Sequence, residues 1–119
     1  MSEPECNKAL LLKYKVWLVS ADGEGILGDG RWRLLKSIEK KGSLKAAAEE
    51  LGISYRKAWS RIKLTEERLG ISLLDKSRGG TSGGGSEITP GGEELLDSYE
   101  NYISEVQSHS QKIYNKYFE

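Results

Sequence analysis

Cysteine and histidine occur once each in 119 residues, and proline only twice. Each shortage removes a class of function. The lone Cys6 excludes an internal disulfide framework and fits a reducing compartment, so the cytoplasm is the expected location. With one His109 and one Cys6, a zinc site would have to recruit carboxylates, and no spacing suggests one. A nucleophile–His–acid set would also need His109, which has no evident partner, so catalytic residues, metal and cofactor are all expected to be none. Long apolar runs are missing too. The longest, Ala9 to Leu12, is too short for a signal-peptide core and follows Glu3 and Glu5 rather than a basic leader. No window approaches the roughly 18 apolar residues of a membrane span, so no membrane partner is expected. The glycine-rich stretch 79–92 contains neither G-x-x-x-x-G-K-[ST] nor G-x-G-x-x-G, and no internal repeat is found. The length suits one domain with a modest core, and 37% hydrophobic with 30% charged residues suits a globular one.

Net charge is also missing: the formal value is +0. That argues at first against a polyanionic partner, but the distribution argues the other way. Residues 31–63 carry ten bases (Arg31, Arg33, Lys36, Lys40, Lys41, Lys45, Arg56, Lys57, Arg61, Lys63) against three acids (Glu39, Glu49, Glu50). Residues 87–119 carry seven acids and two bases. A basic segment is joined to an acidic one, and the segment is what a polyanion meets.

Period-two alternation of Leu12, Tyr14, Val16 and Leu18 with Lys13 and Lys15 between them predicts a strand. Turn chemistry at 21–25 and a short second strand near Gly25 to Leu27 would close a hairpin. Helical spacing of Leu34, Leu35 and Ile38 predicts a helix over Arg31–Lys41, ended by Gly42. Ser43 caps a second helix, Leu44–Leu51, rich in alanine, and Gly52 interrupts it. Ser54 caps a third, Tyr55–Leu69, with Ala58, Ile62 and Leu69 inward and Gly70 at its end. Ile71–Lys76 and Glu87–Thr89 read as strands around a loop flooded with glycine. Thr89-Pro90 starts a last helix, with Glu93 and Glu94 in its first turn, that runs to Tyr117.

Ala47 and Ala48 let two helices approach, Gly52 permits a tight turn, and Ile53 plugs the angle. That is a helix-turn-helix, or an ordinary αα-corner of a helical core. The third helix separates the two. No acid occurs between Ile53 and Leu64, whereas a solvated helix face usually mixes signs. Arginine can fork onto guanine and lysine can neutralise phosphate; the plain alternative is a solvated basic face. The glycine loop is a phosphate cradle, a plain linker or the tip of a wing. Its flanking strands favour the wing, and Lys76, Ser77 and Arg78 would meet the DNA backbone there. The last helix, at ~37 Å, outruns a small domain, so its distal half needs another surface, most simply its copy in a homodimer; otherwise it packs on its own domain.

The runs Gly52-Ile53-Ser54-Tyr55-Arg56-Lys57-Ala58-Trp59, Leu69 to Leu74 and Arg78 to Thr89 resemble the N-terminal domain of ModE-type molybdenum-responsive transcription regulators. The frame Ala47-Ala48, Leu51, Ser54, Ile62, Leu69-Gly70 and the entry Ile88-Thr89-Pro90 is similar, more distantly, to LysR-type regulators. The resemblance covers about Leu12 to Tyr102. It implies a dimeric winged-helix DNA-binding domain with its recognition helix at Ser54 to Arg68, its wing at Arg78 to Ser86, and the terminal helix for dimerisation. Full-length ModE-type proteins continue into molybdate-binding domains, and this sequence ends at Glu119. Molybdate binding is therefore not expected, and the chain reads as a stand-alone member or a piece of a longer regulator.

The expected fold class is α+β, mostly helical: a winged helix-turn-helix with a short N-terminal β-hairpin, a glycine-rich wing and a long C-terminal dimerisation helix. One domain spans 1–119, with an arm and hairpin (1–30), the helix-turn-helix and wing (31–89) and the dimerisation helix (90–119). Duplex DNA is the expected partner, read by Ser54, Tyr55, Arg56, Lys57, Ser60, Arg61 and Lys63 on the recognition helix. Ser43, Lys45, Lys76, Ser77 and Arg78 are expected on the DNA backbone. Trp59 and Ile62 are assigned mainly to packing, and Arg61 is left between base and backbone. Tyr99, Tyr102, Ile103, Val106, Ile113 and Tyr117 are the expected dimer face. The alternative function is a winged-helix protein-interaction module, or a detached DNA-binding subunit working with a separate sensor.

Overall fold

A computed structural model describes residues 10–76 and 85–119, and the backbone but not the side chain of Lys76. Ser77, Arg78 and most of the expected wing tip lie outside the described residues. The chain opens with strands β1 (Leu18–Val19) and β2 (Gly25–Leu27), paired antiparallel with Leu18 opposite Leu27. The alternation from Leu12 predicted a longer strand, but only its last two residues pair. Alternation supplies a face, whereas a strand also needs a neighbour's N–H and C=O groups. Residues 10–17 form no helix or strand, and the Tyr99 hydroxyl ties them to α4 by donating to the Val16 carbonyl at 3.2 Å.

Helix α1 (Asp29–Lys41) starts two residues before the expected Arg31 and ends where Gly42 N–H bonds the Ile38 carbonyl at 2.7 Å. Its buried Leu34, Leu35 and Ile38 are worth about 1.5–3 kcal/mol each. Helix α2 (Leu44–Leu51) follows, its first turn closed by the Ser43 hydroxyl accepting from Ala46 N–H at 3.0 Å. Gly52 turns the chain at φ 71°, a conformation that costs a residue with a Cβ. Ile53 N–H then bonds Ala48 C=O at 3.0 Å, and the Ser54 hydroxyl accepts from Lys57 N–H at 3.0 Å to start α3 (Tyr55–Leu69). The predicted order of caps, glycine and plug is what the structure has.

Two details of α3 and its exit differ from expectation. Leu69 is 40% exposed, and Thr65, 1% exposed, takes the inward place. The Thr65 hydroxyl donates to Ile26 C=O at 2.9 Å, tying α3 to β2, so a polar residue sits where an apolar one was expected. The third strand begins at Leu74 rather than Ile71, because the Leu73 amide donates to the Glu66 carboxylate at 2.7 Å instead of to a ladder. Strands β3 (Leu74–Lys76) and β4 (Ser86–Ile88) then pair antiparallel, Leu74 opposite Ile88. Thr89 caps α4 (Pro90–Phe118), accepting from Gly92 N–H at 3.0 Å.

One core joins these elements: β2, the inner faces of α1, α2 and α3, Leu73, and Leu96 and Tyr99 of α4. Trp32 Nε1 donates to Glu100 at 2.7 Å and Lys36 pairs with the same carboxylate at 3.5 Å, pinning α4 to α1. Beyond Tyr99 no residue of α4 is buried. A 29-residue helix is about 43 Å long, in a molecule whose extents are 66 × 30 × 22 Å.

Candidate nucleic-acid interface

Burial of Ala58, Ile62 and Thr65 fixes how α3 is rotated. The opposite face, at helical spacing, carries Arg56, Ser60 and Lys63, with Tyr55 and Lys57 beside them at the first turn; all five are exposed. Ser54 is exposed at the cap, Lys45 is exposed on α2, and Ser43 is half-buried at its cap. Six of the seven expected recognition-helix residues thus lie on one exposed surface. Arg61 turns aside. It is half-buried, and its carbonyl accepts from Arg31 Nε at 3.4 Å. Burial lowers the tendency of the Arg31 guanidinium to hold its proton, and the neighbouring Arg61 charge adds to the shift, while Glu24 opposes it.

Ion pairs divide the local excess of bases into two sets. Arg33 pairs with Asp29 at 3.1 Å, Lys36 with Glu39 at 3.1 Å, and Lys40 and Lys41 with Glu50 at 3.1 and 3.8 Å. The bases of these pairs all belong to α1. Among the described residues, Arg31, Lys45, Arg56, Lys57 and Arg61 have no acid within ion-pair distance. Within residues 31–63 the unpaired bases thus lie on α3, on α2 and at the start of α1, while Lys13 and Lys15 of the arm and Lys112 and Lys116 of α4 also form no ion pair among the described residues. Repulsion within such a group is relieved when a polyanion approaches, and the gain is largest where no internal carboxylate competes.

Lys63 is the exception on the reading face. It pairs with Glu66 at 3.2 Å and lies 5.6 Å from the Trp59 ring centroid. Glu66 in turn holds the Leu73 amide, so Trp59, Lys63 and Glu66 form a chain from the recognition helix to the foot of the β3–β4 hairpin. Sequence reasoning missed this chain. Its signal was the Lys63–Glu66 spacing of three, which places the two side chains on one helix face. Trp59, assigned mainly to packing, is 47% exposed; Ile62, at 3%, is in the core as expected. Lys76 ends β3 opposite Ser86.

Glu39 of α1 and Glu93 of α4 share a hydrogen bond, which holds the Glu39 carboxyl below its ordinary range and the Glu93 carboxyl above. Of the expected dimer face, Tyr102 (55%), Ile113 (58%) and Tyr117 (68%) are exposed, and Ile103 and Val106 are half-buried. Tyr99 needs correction: at 8% exposure it belongs to the core of its own domain, because its ring follows Leu96 inward and its hydroxyl is used by Val16. Among the described residues no group of His, Cys, Asp and Glu could hold a metal ion, and no helix is long and apolar enough to cross a membrane.

Comparison with known proteins follows the same frame. The model of a family described as bacterial regulatory helix-turn-helix protein, lysR family, matches residues 30–93. Molybdenum-pterin-binding protein MopB of Rhodobacter capsulatus is 38% identical over 73 residues, 61% of this chain and 27% of its own. Transcriptional regulator ModE of Haemophilus influenzae is 35% identical over 80 residues, 67% of this chain and 31% of its own. The DNA-binding transcriptional dual regulator ModE of Escherichia coli is 36% identical over 77 residues, 65% and 29%. The chain thus spans under a third of the length of these curated relatives. Among solved structures, the DNA complex of the CbnR DNA-binding domain superposes with a TM-score of 0.56 at 20% identity, covering 73% of this chain and 94% of that one. The complex of the BenM DNA-binding domain with benA site 1 DNA gives 0.52 at 24% identity, covering 72% and 91%. These two similarities establish the winged helix-turn-helix fold.

Proposed function

Since the chain belongs to the lysR family of bacterial regulatory helix-turn-helix proteins, we propose that it is a cytoplasmic, homodimeric regulator of transcription that binds duplex DNA sequence-specifically. The observation that carries this reading is the set of bases without acid partners on and beside the exposed face of α3. Lys45 and Lys57 neutralise phosphates, joined by Ser43, Lys76, Ser77 and Arg78. Ser54, Tyr55, Arg56 and Ser60 face the base edges from the first turns of the recognition helix. Arg61, turned toward Arg31, serves a flanking phosphate rather than a base. Lys63, held by Glu66 and Trp59, sets the wing against the helix and contacts the backbone. The exposed part of α4 carries the dimer contact. The ModE relatives, which are transcriptional regulators, and the DNA in the CbnR and BenM complexes support the choice of partner.

Selection from random duplexes followed by footprinting tests it. A palindrome with half-sites one helical turn apart, or a multiple of it, is expected. Binding should also weaken by roughly 0.9 log units per tenfold salt for each phosphate neutralised. Failure to enrich any site, together with salt-independent binding, refutes the reading.

A further inference from the structure

Trp32 and Trp59 stand in opposite situations. Trp32 packs against the core, and its Nε1 donates to Glu100. Trp59 lies outside the core cluster and is 47% exposed. It is exposed among the bases of α3. Arg56, Trp59 and Lys63 succeed one another at steps of three and four, so their side chains adjoin on the helix surface. Tyr55, 54% exposed, lies one turn before Trp59. The first turns of α3 thus carry an aromatic strip beside the polar Arg56 and Ser60. An aromatic side chain is among the largest apolar surfaces a protein can bury, and in water this strip gains nothing from its size.

The ring is also held in place. Lys63 Nζ lies 5.6 Å from its centroid and 3.2 Å from the Glu66 carboxylate. That carboxylate is itself fixed: its side chain is 13% exposed, and it accepts from the Leu73 and Leu74 amides at 2.7 and 3.4 Å. A cation anchored to the foot of β3 therefore biases the indole toward one orientation. Orientation set before binding reduces the entropy lost when a contact forms.

We infer that Trp59 is a specificity-determining residue whose ring packs on the C5-methyl group of a thymine in the major groove. The inference deepens the DNA binding proposed above and rests on it. The chemistry of the groove selects the base. Adenine, guanine and cytosine present hydrogen-bond donors and acceptors there, and thymine alone adds an apolar group. Arg56 and Ser60 can use the polar edges. An indole face laid on such an edge would strip it of water and return no hydrogen bond. Laid on a methyl group, the same face removes apolar surface from water on both sides.

Uracil differs from thymine by that methyl alone, so uracil scanning tests the contact. The duplex selected for this protein is remade with uracil in place of each thymine in turn. Wild type, Trp59→Ala and Trp59→Phe are then titrated by fluorescence anisotropy. At least one thymine should show a loss of about fourfold with wild type, the worth of one methyl-sized contact. Trp59→Ala should bind that thymine duplex and its uracil counterpart equally. Trp59→Phe keeps an apolar ring and should bind the thymine duplex more tightly than Trp59→Ala. A tryptophan with a structural role only would weaken both duplexes by the same factor and leave the uracil effect intact, which overturns the inference. A selected site without a fixed thymine, or a uracil scan with no effect on wild type, also overturns it. In each of these cases binding to the selected site persists, and the DNA-binding proposal stands. Failure to enrich any site overturns both. If circular dichroism shows Trp59→Ala unfolded, wild type against Trp59→Phe decides: the uracil effect should shrink with the smaller ring, and an equal effect in both overturns the inference.

Discussion

Replacing Arg56 by alanine separates reading bases from holding phosphates, and the structure makes the experiment clean. Arg56 is exposed in the first turn of α3, and among the described residues it forms no ion pair. Alanine is also the better helix former, so the substitution should change stability by no more than about 0.5 kcal/mol. The whole effect should therefore appear in DNA binding. A bidentate arginine–guanine contact is worth roughly 1–3 kcal/mol of discrimination, or about 5- to 150-fold. On the selected site the variant should lose that much, and on a scrambled duplex only the part due to one positive charge. Lys57→Ala supplies the contrast. It should weaken both duplexes by similar factors and flatten the salt dependence by about 0.9 log units per tenfold salt. Fluorescence anisotropy with both duplexes over a salt series measures all of these. Equal loss for Arg56→Ala on selected and scrambled DNA would refute the base-reading role, and thermal melting alongside excludes unfolding as the cause.

Three further outcomes follow from the packing around this face. Glu66→Ala leaves the Leu73 amide without its 2.7 Å acceptor and should destabilise the domain by about 1–3 kcal/mol in urea unfolding, whereas no loss would mean that water replaces the carboxylate. Gly92→Ala places a Cβ 2.7 Å from Ile88 Cγ2 and 3.1 Å from the Leu73 carbonyl, so a loss of about 1–3 kcal/mol is expected, and an unchanged melting temperature would show that β4 yields freely. The Glu50 carboxyl titrates below its ordinary value, held first by the Ser37 hydroxyl and then by Lys40 and Lys41. Its pairing is therefore complete above the ordinary glutamate range and lost as pH falls through the lowered value. Ser37→Ala should move the Glu50 titration upward in NMR, and an unmoved titration would refute the hydroxyl's part.

Much of this architecture could be read from single residues because its boundaries are chemical and local. Ser43, Ser54 and Thr89 each satisfy an amide three residues on, and Gly42, Gly52 and Gly70 each end a helix at positive φ. Those events depend on neighbours in sequence, so sequence reports them. The departures depend on residues far apart. Thr65 is inward because β2 presents the Ile26 carbonyl 39 positions away, and Leu73 leaves the strand because Glu66 reaches its amide. Tyr99 left the expected dimer face for the core because the arm passes over it. The candidate reading surface shows the same division. Sequence located the basic helix, since a run without acids is visible in one dimension. It did not show which bases were already neutralised, because Lys40 and Lys41 meet Glu50 across a helix boundary. That sorting is what gives the surface its meaning. Ten bases in one segment describe a composition; five without acid partners, three of them on α3, describe a surface on which an approaching polyanion meets no competing carboxylate.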